Sequence, residues 1–176
     1  RQTKVYGLSA PRWVCRLAFR GGSSSAWGRR GQALYGQRMD ALLAKLKGRQ
    51  NRIAVYDFRR PKMTASLWPL SAGNTAATLG ATTMTITGLP AGTKVYAGDY
   101  IGGDGRPHIV VDDAYAGVAG TVTVSFEPPL ASAIGLDAAI FGNPTGLFRL
   151  TSDDAGENGS EVGEATSYSL EFVEDI

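Results

Sequence analysis

Trp13-Val14-Cys15-Arg16-Leu17-Ala18-Phe19-Arg20 sets the reading of this chain. Trp13, Cys15, Leu17 and Phe19 alternate with Val14, Arg16, Ala18 and Arg20. That is the period-two pattern of a strand with one apolar and one mostly basic face. Downstream, Tyr35, Met39, Leu42, Leu43 and Leu46 recur at helical spacing, and Gly48 stands where a helix stops. Gly28, Gly31 and Gly36 weaken the helix start, so its firm part is predicted at about 37–47. Ile53, Val55 and Phe58 resume a strand that runs to Arg59-Arg60-Pro61. Residues 13–61 therefore read as strand, helix, strand, with Arg, Lys or Gln at nearly every outward position.

The charge distribution follows the same division. Up to Lys62 there are fifteen Lys and Arg against Asp40 and Asp57, a net +13. Beyond it there are only Lys94, Arg106 and Arg149 against fourteen acids, a net −11. The formal total of +2 hides this split. An electrostatic partner for each half accounts for it: nucleic acid, another protein, or the other half of a neighbouring copy. Two halves that face each other or solvent account for it as well.

Working outward, Met84 and Ile86 alternate with Thr83, Thr85 and Thr87 in a half-buried strand. Val95 to Ile101 reads as the next strand. Gly102-Gly103-Asp104-Gly105 is a hairpin signal, and His108 to Val111 is the return strand. Val122, Val124 and Phe126 form another strand, closed by Pro128-Pro129. Gly146 to Leu150 reads as a strand, and 152–165 as an acidic, glycine-rich loop. In the last strand Tyr168, Leu170 and Phe172 alternate with Ser169, Glu171 and Val173. Its exposed face is acidic where that of residues 13–61 is basic, so it is expected to pair with one of the strands of that first unit. The predicted fold is mainly β: a β-sandwich-like core with one α-helix, built from 1–75 and 143–176. A small β-barrel or β-sandwich, 76–142, is inserted in it.

Cys15 is the single cysteine, so no intrachain disulfide forms, and its position on the apolar face predicts a small core residue. No run of about eighteen apolar residues is present, so no membrane span is expected. One His and one Cys, far apart, do not make a zinc site. Asp153, Asp154, Glu157, Asn158 and Glu161 are oxygen ligands without EF-hand spacing, and read as a solvated loop. Asp112 and Asp113, as strand neighbours, point to opposite faces and do not converge on a substrate. His108 has no partner identifiable from the sequence. Nucleophile elbow, P-loop and dinucleotide fingerprint are all missing. The sequence therefore predicts no enzyme, no cofactor and no metal. Nucleic-acid binding has more behind it. Arg29, Arg30, Arg49, Arg52, Arg59 and Arg60 are placed to neutralise phosphates, with Trp27, Tyr35 and Tyr56 among them as stacking platforms.

An ordered set of landmarks carries a resemblance. It comprises Leu42-Leu43-Ala44-Lys45-Leu46-Lys47-Gly48-Arg49, Val55-Tyr56-Asp57-Phe58-Arg59-Arg60-Pro61 and Ala97-Gly98-Asp99-Tyr100-Ile101. It continues with Phe126-Glu127-Pro128-Pro129-Leu130, Pro144-Thr145-Gly146-Leu147-Phe148-Arg149-Leu150 and Tyr168-Ser169-Leu170-Glu171-Phe172-Val173-Glu174. Together they resemble tail proteins of long-tailed bacteriophages and prophages, of the distal tail or tail-tip hub type. The resemblance implies a β-rich domain that forms a ring, commonly a hexamer, between the tail tube and the tip or hub proteins. It also implies an inserted β-domain in some members, a place in the virion after synthesis in the host cytoplasm, and no catalytic residue. In such a ring the basic face carries Arg29, Arg30, Arg49, Arg52, Arg59 and Arg60. The complementary acidic face carries Glu161, Glu164, Glu171 and Glu174, and nucleic acid is met only in the tail lumen. The alternative expectation is a basic nucleic-acid-binding module with an acidic C-terminal half.

Overall fold

The computed structural model describes residues 12–20, 36–57, 72–141, 143–154 and 167–176. The chain is mainly β, with twelve strands and one helix among these residues. It divides into two compact units. An end unit combines Arg12–Ala54 with Leu147–Ile176, and a middle unit contains Val55–Gly146.

The end unit is built on a four-stranded sheet. Its strands are β1 (Val14–Arg20), β2 (Ile53–Val55), β11 (Gly146–Leu150) and β12 (Ser167–Glu174), in the order β1-β12-β11-β2. β1 and β12 are antiparallel and pair residue for residue from Val14 opposite Val173 to Arg20 opposite Ser167. The last strand does pair with a strand of the 13–61 stretch, and that strand is β1, with Arg16 directly opposite Glu171. Tyr168, Leu170 and Phe172 point inward and are buried, with Phe148 and Leu150 of β11 beside them. Trp13, Cys15, Leu17 and Phe19 share that inward face but are only half-buried, because β1 lies at the sheet's edge.

Helix α1 spans 36–46. Met39 and Leu46 are its buried positions, while Leu42 and Leu43 are half-buried. Its first turn is tied to β12: the Tyr168 hydroxyl lies 2.7 Å from the Asp40 carboxylate and 3.3 Å from the Gly36 carbonyl. Termination falls where the sequence places it. Lys47 and Gly48 take φ of 51° and 62°, and the Asn51 N–H bonds the Leu46 carbonyl at 3.0 Å. A β-carbon at position 48 would lie 2.6 Å from Asp153 Oδ1, so glycine is also required by close approach.

The middle unit holds a six-stranded sheet in the order β10-β6-β7-β9-β4-β3. Its strands are β3 (Gly73–Asn74), β4 (Thr83–Thr87), β6 (Tyr100–Gly102), β7 (His108–Val110), β9 (Val122–Glu127) and β10 (Ile140–Phe141). A separate pair joins β5 (Lys94–Val95) to β8 (Ala114–Tyr115). The hairpin expected around 102–105 connects β6 to β7, with Ile101 opposite His108. Thirteen buried residues make one apolar cluster, with Ile86, Val95, Ile101, Val124 and Phe126 wholly inaccessible to solvent. Alternation explains this: β9 buries Val122, Val124 and Phe126 and exposes Thr123 and Glu127.

One strand of the sequence reading is divided. Val95 to Ile101 is interrupted by a turn at Tyr96–Asp99, in which the Asp99 N–H bonds the Tyr96 carbonyl at 3.0 Å. Asp99 Oδ2 in turn accepts the Tyr96 N–H at 3.0 Å, and Gly98 takes a φ of 98°. An Asp whose side chain bonds nearby backbone, with a glycine at positive φ, is turn chemistry that outweighs the β-propensity of the flanking residues.

Candidate assembly surfaces

Of the predicted basic face, Arg29, Arg30, Arg59 and Arg60 lie outside the described residues, as do Trp27 and Tyr35. Arg49 and Arg52 follow α1 in the loop that leads to β2, and both are exposed. They are not idle. The Arg49 N–H bonds Asp153 Oδ1 at 2.8 Å. Arg149 donates to the carbonyls of Arg49 and Gln50 at 2.9 and 2.6 Å. Asp175 then receives both Arg52 and Arg149, the latter at 2.8 Å. The hydrogen bond from Arg149 and the charges of Arg149 and Arg52 hold the Asp175 carboxyl below the usual carboxylate range, against desolvation. This network fastens the loop after α1 to β11 and to the residue that follows β12. An open cleft of about 600 Å³ sits here, lined by Lys47, Gly48, Arg49, Gln50, Arg149 and Asp153.

Of the predicted acidic face, Glu161 and Glu164 lie outside the described residues, as do Glu157 and Asn158 of the acidic loop. Asp153 serves the network above, and Asp154 is exposed. Glu171 is on the outward face of β12 and pairs with Arg16 at 3.1 Å, with 41% and 79% of the two side chains exposed. Charge complementarity between the first and last strands is thus used within the chain. Glu174 corrects the expectation of a fully exposed face: it is 1% exposed. Its position has the parity of Tyr168, Leu170 and Phe172, so it turns inward opposite Phe148. There its Oε2 accepts the Trp13 N–H at 3.0 Å. A buried carboxylate needs such a charge-assisted bond.

The middle unit gives local partners to the groups that the sequence left unassigned. His108 is wholly buried between two oxygens, Pro128 O at 2.6 Å from Nδ1 and Asp104 Oδ1 at 2.9 Å from Nε2. Asp104 also accepts the N–H groups of Ala131 at 2.8 Å and Arg106 at 3.3 Å. Burial raises the Asp104 carboxyl, but the His108 bond and charge and the two amides outweigh it and set it below its ordinary value. The pair therefore joins the β6–β7 loop to the loop after β9, a structural task. Asp113 is taken by Lys94 at 2.7 Å and by the Ala97 N–H at 2.8 Å, while Asp112 is exposed. The bond to Lys94 is the main cause of a lowered Asp113 carboxyl, and the same bond raises Lys94. Lys94 Nζ also stands 4.5 Å from the Tyr96 ring centre and 5.4 Å from that of Tyr115.

Among the described residues no group of three or more His, Cys, Asp or Glu side chains could hold a metal ion. No helix among them is long and apolar enough to cross a membrane. The sequence reading missed the buried Asn74, which carries no catalytic signature. Its amide donates to the carbonyls of Thr75 and Gly135 at 2.7 and 3.0 Å and accepts the Ala139 N–H at 2.9 Å, so every side-chain polar group is used. No family model, no curated protein and no solved structure matches the chain.

Proposed function

We propose that this chain is a structural subunit of a long-tailed phage or prophage tail. In this reading it forms a ring, of six copies by the family resemblance, at the distal end of the tail tube and connects the tube to tip or hub proteins. It resides in the virion and works by binding geometry, without a reaction or a cofactor. One observation carries the reading: the described strands nearest the two chain ends, β1 and β12, pair along their length and build one unit, while 55–146 forms another. This is the kind of organisation that the resemblance implies, a β-rich ring domain interrupted by a second β-domain. The landmarks of the resemblance also fall at structural joints: the end of α1, the Pro-closed end of β9, and strands β11 and β12. A closed heterologous ring offers each copy the same contact without a free end.

The test is size-exclusion chromatography with light scattering and negative-stain imaging of the purified chain, alone and mixed with tube and hub proteins of the same particle. Closed rings, or order gained with those partners, are expected. A chain that stays monomeric with them and is retained on DNA with a steep salt dependence would replace the reading with the nucleic-acid alternative, for which the cationic side chains Lys47, Arg49 and Arg149 in the open cleft are the natural site.

A further inference from the structure

The outer edge of β1 has a defined hydrogen-bonding direction. The Trp13 carbonyl accepts the Glu174 N–H at 2.9 Å, which fixes the parity of the ladder. In an antiparallel pair alternate residues bond the partner strand. Cys15, Leu17 and Phe19 therefore bond β12, while the N–H and C=O groups of Val14, Arg16 and Ala18 point the other way. The opposite side of β12 agrees: Thr151 and Asp175 bond Glu171 and Leu147 in the complementary parity. β12 is filled on both sides, whereas among the described residues no strand lies beyond β1.

Three features set this edge apart. β1 is seven residues long, has no Pro or Gly, and pairs with β12 without a bulge. It lacks the shortening, bulges and prolines that commonly blunt an edge. Its inward face is half-buried at Leu17 and Phe19, where β12 is buried, so the apolar face runs on past its cover. On the outward face Arg16 is largely exposed, and its contact to Glu171 uses one of five guanidinium N–H groups.

We propose that the outer edge of β1 binds an extended strand of another protein, one that alternates acidic and apolar residues. Main-chain bonds from Val14, Arg16 and Ala18 hold it, an acid stands opposite Arg16, and apolar residues cover Leu17. β12 is the template, since it already presents Glu171 to Arg16, Phe172 to Cys15 and Leu170 to Leu17 from the other side. A second copy of β1 fits less well: antiparallel pairing centred on Arg16 sets Arg16 against Arg16, which is destabilising, and pairing centred on Cys15 or Leu17 leaves Arg16 opposite Val14 or Ala18 with no acid to meet it. This assignment does not depend on the ring reading.

The test is amide hydrogen exchange, read by NMR on the whole chain, with a capped eight-residue Glu-Val alternating peptide as the probe and a Lys-Val peptide of equal length as the control. The amides of Val14, Arg16 and Ala18 should slow by about tenfold or more with the Glu-Val peptide alone, while those of Cys15 and Leu17 stay as protected as before. Arg16→Glu should transfer the response to the Lys-Val peptide. Ala18→Pro removes one outward N–H, a substitution that an edge strand tolerates, and should abolish the response without melting the β1–β12 ladder. Protection of the three amides in the isolated monomer would assign the edge to the chain itself. Protection that rises with protein concentration would assign it to a second copy. An equal response to both peptides would mean unspecific contact. Each of these results overturns the proposal.

Discussion

In the middle unit His108 finds Asp104 four residues away, Ala97 finds Asp113 sixteen away and Ala131 finds Asp104 twenty-seven away. In the end unit Arg16 reaches Glu171 across 155 residues, Arg49 reaches Asp153 across 104, and Arg149 reaches back to Arg49 across 100. The contrast extends to the sheets. The middle unit closes within one continuous stretch: β3–β4 and β6–β7 join neighbours in sequence, Asn74 reaches Gly135 and Ala139 across 61 and 65 residues, and the core is one apolar cluster. The end unit is assembled from two distant segments, and the half-buried face of β1 leaves its edge less covered than its centre. Closure within one continuous segment makes a unit self-sufficient. Closure through distant segments makes a unit that depends on both of them and leaves an edge on which a partner can act.

Removing Leu147–Ile176 is the harshest way to break this contrast. β1 and β2 lose their sheet partners, so the end unit should unfold entirely while the middle unit keeps its dispersed amide spectrum. Collapse of both sets of NMR signals would show that the middle unit is not self-sufficient. Next in size is Leu46→Asp, which puts a carboxylate at a position 3% exposed; it should cost more than about 4 kcal/mol. Leu43→Asp, at a half-buried position, should cost about 1–2 kcal/mol. Urea titrations of the two variants compare them directly, and equal losses would mean that α1 is turned differently on the sheet.

His108→Ala acts on the middle unit alone. It removes a buried ring and strands Asp104 and the Pro128 carbonyl, so a loss of about 3 kcal/mol is expected in the same titration. The pH dependence sharpens this. Asp104 lies below its ordinary value in the folded chain, so its contribution is complete above about pH 4, where the unfolded carboxylate is ionised, and fades as pH falls through the folded value. Asp104→Asn should therefore flatten the acid limb of middle-unit melting below about pH 4. An unchanged acid limb would place the dependence elsewhere. The smallest effect belongs to the end unit's most visible ion pair. Arg16→Ala should cost no more than about 1 kcal/mol, since most of the Arg16 side chain is in water, and calorimetry that finds a much larger loss would give the pair a stronger role.

The elements with long periodic patterns were legible in the sequence: β1, α1 with its stop at Gly48, β4, β9 and β12. That β12 pairs with a strand of the 13–61 stretch was legible from the opposite signs of their outward faces; that the strand is β1, with Arg16 opposite Glu171, was not. Glu174 was misplaced because its charge outweighed its parity, which it shares with Phe172. The two-residue strands β3, β8 and β10 have no period to read. The partner of His108 was hidden because Asp104 belongs to a loop, where strand alternation gives no direction. The sequence shows Arg49 only as a surface charge, because the partners of its backbone, Asp153 and Arg149, lie about a hundred residues away.

The distance between β1 and β12 along the chain also sets a clock. On a ribosome, 147 residues separate Arg20 from Ser167, and at about 5–20 residues per second β1 is exposed for roughly 7–30 s before its partner strand exists. The middle unit is complete well before then and can fold in that interval. For those seconds both edges of β1, and the row Cys15, Leu17 and Phe19, face the crowded solution near the ribosome. Arg16 then has no Glu171 to neutralise it, so pairing of one nascent β1 with the next along a polysome, in a register that sets Arg16 against Arg16, is disfavoured.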